Sequence, residues 1–155
     1  APGTSGQVLQ TGGASANPSW TDAGSGHLVS FHNHVDQNNE TTTSSTMVAT
    51  NSQLTITPAS TSSRFFILCT FQGGNNQASR RSYYRIFVGG VEISTSAMNH
   101  EWVNAYSNEN PSAMSVYHHP NTTSPVTYRV YFQSNGGGDT AKIHYKNLSI
   151  WEFAS

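Results

Sequence analysis

Apolar and polar residues alternate along this chain in short runs, and nowhere do they recur at the three-to-four-residue spacing of an amphipathic helix. Gly, Asn, Ser, Thr and Pro clusters separate the runs, which is the punctuation of strands and turns. The pattern predicts strands over 27–35, 46–49, 54–57, 64–71, 82–88, 91–93, 98–103, 113–117, 126–134, 140–145 and 148–153. In the first of these, Val29, Phe31 and Val35 share a face, with His32 and His34 on the opposite, polar one. The 64–71 run, Arg-Phe-Phe-Ile-Leu-Cys-Thr-Phe, is apolar almost throughout and reads as a central strand covered on both faces. Gly89-Gly90 predicts a tight hairpin, and Gly73-Gly74 and Gly136-Gly137-Gly138 predict turns.

Short strands at this spacing indicate an all-β fold, an antiparallel β-sandwich. The jelly-roll topology is preferred because the terminal strands are expected to be long and central. An immunoglobulin-like sandwich is disfavoured, since one cysteine, Cys69, cannot supply a Cys…Trp…Cys pattern. Cys69 lies mid-strand and is expected as a buried thiol, with no intrachain disulfide.

At 155 residues the chain suits one domain, residues 25–155, preceded by an arm, residues 1–24. Only 10% of residues are charged, against about 25% in an average protein. Ser and Thr make up about a quarter of the chain, so its surface is mostly hydroxyl and amide. A net charge of -1 gives no footprint for nucleic acid or an anionic membrane, and no apolar run is long enough for a helical span. Low charge protects poorly against self-association, as suits a chain that works inside an assembly.

The arm is rich in glycine and small polar residues, yet it carries Val8, Leu9 and Trp20. Such a segment cannot form a core alone, so these three are read as anchors that dock on a neighbouring surface. The stretch from Gly3-Thr4-Ser5-Gly6-Gln7 to Pro18-Ser19-Trp20 resembles a segment of bacteriophage fibre proteins that precedes a globular tip. The body adds Leu54-Thr55-Ile56-Thr57-Pro58, Ser112-Ala113-Met114-Ser115-Val116-Tyr117, Thr127-Tyr128-Arg129-Val130 and Leu148-Ser149-Ile150-Trp151-Glu152-Phe153. In that order these resemble the C-terminal domains of phage tail and head fibres, which are similar to the trimeric jelly rolls of the tumour-necrosis-factor and C1q type. The resemblance implies a homotrimer on the virion surface, joined through its arm to other virion proteins.

Candidate chemistry is sparse. Trp102, Asn104, Tyr106, Tyr117 and His118 form the most attractive receptor-binding group, because aromatic faces and amides suit a sugar. The same aromatics could equally fill a core or a subunit interface. His32 and His34 would project on one side of a strand and could offer six nitrogens around a threefold axis, a set that the resemblance links to iron in some phage fibres. The simpler reading leaves both in solvent, and no metal or cofactor is expected. The eight acids are scattered, no Gly-x-Ser-x-Gly elbow occurs, and Cys69 is poorly placed for a nucleophile, so no catalytic residue is assigned.

The expected function is therefore non-enzymatic: a trimeric fibre-tip domain that attaches to a host surface receptor, in particular a glycan. The alternative is a capsid decoration protein that stabilises the phage head. A free carbohydrate-binding module or a polysaccharide depolymerase comes third.

Overall fold

The computed structural model describes residues 2–4, 6–22, 24, 26–77, 80–94, 98–101, 110–136 and 138–155, without the side chains of 98–101. Among these there is no helix. Twelve strands are formed: β1 (Gln7–Gln10), β2 (Ser19–Asp22), β3 (Leu28–Asp36), β4 (Glu40–Thr42), β5 (Val48–Ile56), β6 (Arg64–Asn75), β7 (Arg81–Val88), β8 (Val91–Glu92), β9 (Met98–Glu101), β10 (Asn110–His118), β11 (Val126–Ser134) and β12 (Ala141–Phe153).

Two five-stranded antiparallel sheets face each other. The first has the order β10-β6-β12-β3, with β4 also on β12, and the second β5-β11-β7-β8, with β9 also on β7. From β3 to β7, and again from β10 to β12, the main strands pass alternately from one sheet to the other. That alternation with antiparallel pairing is a jelly-roll sandwich. Phe65, Ile67, Cys69 and Phe71 of β6, with Leu148 and Ile150 of β12, point inward against Ile56, Tyr84, Ile86, Tyr128, Val130 and Phe132.

The sequence predicts most strands, with instructive differences. Residues 46–49 and 54–57 belong to one strand, β5, whose polar Thr50 and Ser52 are buried. Gly73-Gly74 is not a turn but part of β6, where Gly73 serves a close approach: a Cβ there would lie 2.7 Å from the Tyr84 hydroxyl. Gly89-Gly90 does turn the chain, with φ of 54° and 85°, the left-handed pair that a two-residue hairpin needs. Segments 140–145 and 148–153 are a single strand, β12, broken in register between His144 and Asn147. The bulge reverses the alternation, which is why the apolar pattern reads as two strands.

The arm also folds. β1 and β2 pair antiparallel, setting Leu9 opposite Trp20 and Val8 opposite Thr21. Gly13, at φ 106°, lies in the segment that reverses the chain, and the Gln7 amide donates to the Asp22 carboxylate at 3.3 Å. An extended tether is thus corrected to a small hairpin, in which Val8, Leu9 and Trp20 stay exposed.

Candidate functional site

β3 is amphipathic in the reverse sense to that expected. Val29, Phe31 and Val35 face outward and are exposed, while Ser30, His32, His34 and Asp36 face the opposite sheet. The two histidines are therefore half-buried within the sandwich rather than on its solvent side, which corrects the sequence reading. His32 Nε2 lies 3.1 Å from the Ser30 hydroxyl. No group of three or more His, Cys, Asp or Glu able to hold a metal is formed among the described residues.

The outward face of the first sheet is the most unusual surface of the molecule. Tyr117, Phe66, Trp151 and Phe31 occupy directly opposed positions on β10, β6, β12 and β3. Successive ring centroids lie 4.9 Å, 5.6 Å and 5.1 Å apart, so the four rings form one continuous row across the sheet. Tyr117 is 76% exposed and Phe31 52% exposed, as cross-strand aromatic pairs on a core face would not be. The next row is polar: Asn33 donates to both Asn147 and Ser149, while Leu68 sits opposite Ser149 on β6. Between Arg64 at one end and Lys142 at the other, the described residues of this face include no Asp, Glu, Lys or Arg.

The second sheet's outward face contrasts with it. There Arg85 pairs with Glu92 at 2.8 Å, Arg129 donates to the Thr50 carbonyl at 2.6 Å, and Phe87 stacks with Tyr131 at 4.3 Å. Charges and rings are interleaved as on an ordinary solvated face. The described outward faces of the two sheets thus differ in charge and in aromatic content.

Beneath the aromatic row lies a buried polar edge. Glu152, 2% exposed, accepts from the Ser30 hydroxyl at 2.9 Å and the Ala59 N–H at 2.7 Å. Burial pushes its carboxyl upward, but hydrogen bonds from Ser63, Ala59 and Ser30, with nearby His32, outweigh this and hold it below the ordinary value. Further along, Lys146 is fully buried, 3.3 Å from Asp36 and 3.0 Å from Glu40, and it donates to the Asn38 carbonyl at 2.6 Å. Burial raises Asp36 as well, and the Asn38 N–H and Lys146 bring it below its usual value. Asp22 bonds Gln7, Asp139 accepts from Asn75 at 2.7 Å, and Glu92 pairs with Arg85. Every carboxylate whose side chain is described is thus engaged in a structural contact. Cys69 is buried, and burial pushes its thiol up to about 12.

Of the expected receptor group, Trp102, Asn104 and Tyr106 lie outside the described residues. Tyr117 ends the aromatic row, whereas His118 turns inward and hydrogen-bonds the Tyr128 hydroxyl at 2.9 Å, so the two do not share a surface. The sequence reading missed Phe31, Phe66 and Trp151 as a surface. The alternation of β3 grouped Val29, Phe31 and Val35 on one side, but only the burial of Asp36 shows that this side faces out.

The fold and its outward face define a jelly-roll sandwich with one uncharged aromatic surface, an architecture that fixes no activity by itself. No family model and no curated protein sequence matches the chain. Among solved structures, VP2 of infectious bursal disease virus, crystallised as a subviral particle, matches 94% of this chain and 37% of its own length, with a TM-score of 0.54 and 9% identity. The structure of the Gt strain of that virus matches 94% of this chain and 38% of its own, with a TM-score of 0.49 and 9% identity. The chain therefore spans well under half of the viral proteins it matches. At this identity the likeness is one of fold.

Proposed function

We propose that this chain is a structural virion domain that assembles as a homotrimer through the aromatic end of the outward face of its first sheet. It projects from a phage particle on its arm and attaches, without catalysis, to a host surface glycan. The observation that carries this reading is the Tyr117–Phe66–Trp151–Phe31 row, an exposed aromatic band on a face whose described charges lie only at its ends. Burying it against further copies would remove apolar area at about 25 cal/mol per Å². A sandwich fold shared with a protein that forms viral particles accords with the reading. So does the engagement of the described carboxylates in structural contacts, which leaves no free acid pair for glycoside hydrolysis among the described residues. Three sites per trimer and many trimers per particle would multiply a weak affinity.

The exposed Val8, Leu9 and Trp20 of the arm favour one second reading, decoration of a capsid, in which the hairpin grips coat subunits. Both readings share the trimer. Light scattering on the recombinant chain should give a mass near three times 16.8 kDa. A monomer at all concentrations overturns the assembly. Adsorption of the chain to host cells, in competition with infection, separates attachment from decoration, which instead predicts particles that lose stability without this protein.

A further inference from the structure

We infer that the groove beside Tyr145 is a subsite for a neutral sugar ring, an assignment that rests on the attachment reading above. The bulge in β12 sends Lys146 inward and leaves Tyr145 on the surface, with its backbone at φ 48°. A left-handed conformation suits glycine or asparagine and strains a tyrosine. Lys146, locked by Asp36, Glu40 and the Asn38 carbonyl, holds the bulge in place and so enforces that strain. Strain maintained at a surface aromatic points to use of the side chain.

The use is legible in what surrounds the ring. Tyr145 is 49% exposed, and its inner side is stiffened by His144, stacked at 3.8 Å and 23°. It walls a shallow groove of about 490 Å³, lined also by Thr70, Gln72, Pro111 and Ser112, and none of the described lining residues is charged. The Thr70 hydroxyl and the Gln72 amide stand among the lining groups. A fixed aromatic face, an amide and hydroxyls are complementary to the C–H face and hydroxyls of a pyranose, and the described lining residues offer no cation to pair with an anionic sugar.

Position agrees with chemistry. The arm leaves the domain where Gly26 donates to the Ala154 carbonyl and Phe153 pairs with Arg64. Gln72 lies at the other end of β6, about 26 Å away at ~3.3 Å per residue. The aromatic row is at the arm end, so a trimer joined there and tethered by its arms turns the three grooves away from the particle.

The test uses the full chain with glucose, galactose, mannose and N-acetylglucosamine as probes and sialic acid as the charged comparator. Saturation-transfer NMR reads binding, and urea unfolding is measured on the same samples. The wild type should bind at least one neutral probe in the millimolar range and not sialic acid. Tyr145→Gly should weaken that binding at least tenfold while the unfolding midpoint stays or rises, because glycine relieves the strain. Tyr145→Phe should keep most of the affinity, and Gln72→Ala should reduce it without altering stability. Unchanged binding in both Tyr145→Gly and Gln72→Ala overturns the site and leaves glycan attachment elsewhere on the chain intact. No neutral sugar bound by the wild type also overturns it, and adsorption of the same chain to host cells then decides the attachment reading separately.

Discussion

The Tyr84 hydroxyl fills the space that a side chain on Gly73 would need, 2.7 Å from where its Cβ would lie. From there it donates to the Lys142 carbonyl at 2.6 Å and accepts from the Gly74 N–H at 2.9 Å. One phenol of the second sheet thus clasps two strands of the first. Gly73→Ala should destabilise the chain by about 1–3 kcal/mol, the usual cost of overpacking. Tyr84→Phe leaves both backbone groups unpaired and should cost about 1–3 kcal/mol. Urea midpoints at unchanged slope would show both losses.

Lys146→Met strands Asp36 and Glu40, which face it inside the protein. Breaking a buried pair by removing one partner should cost about 3–5 kcal/mol. The same substitution loosens the bulge that exposes Tyr145. Equilibrium unfolding would reveal the loss, and amide exchange of residues 144–147 should rise with it.

Stability should fall in two stages as pH is lowered. His118 is held below its ordinary 6.5 by burial, with the charge of His119 adding to the effect. The unfolded chain therefore takes up that proton before the folded one, and stability declines as pH drops below about 6.5. Glu152 and Asp36 are held below their ordinary 4.5 and 3.8, so their contribution is present above those values and is lost as pH falls further. Denaturation curves from about pH 8 to pH 3 should show both declines. His118→Asn should flatten the first and Glu152→Gln part of the second.

The aromatic row makes a sharper claim on assembly. Phe31→Glu combined with Tyr117→Lys removes the two outer ring contacts of the row, at about 0.5–1.5 kcal/mol each, and should leave the isolated domain folded. Light scattering should nevertheless show the trimer reduced to the 16.8 kDa species. Gln53→Lys, on the exposed side of β5 in the second sheet, should leave the mass unchanged.

Much of this architecture is determined by the sequence alone. Alternation in 126–134 and the apolar run 64–71 specify β11 and the first part of β6, because a strand turns every second side chain to the core. The Gly-Gly at 89–90 specifies a hairpin, since a two-residue turn needs two successive residues at positive φ, which glycine adopts without strain. The arm's exposed Val8, Leu9 and Trp20 are equally visible, though not their pairing as a hairpin. What only the tertiary structure decided is which side of a strand is inside. Local pattern gives two faces but no outward direction, and β3 buries its polar one because Glu152 stands opposite Ser30, and Lys146 opposite Asp36, across the sheet. The aromatic row and the Tyr145 groove follow from that same register, in which residues as far apart in sequence as Phe31 and Trp151 become neighbours.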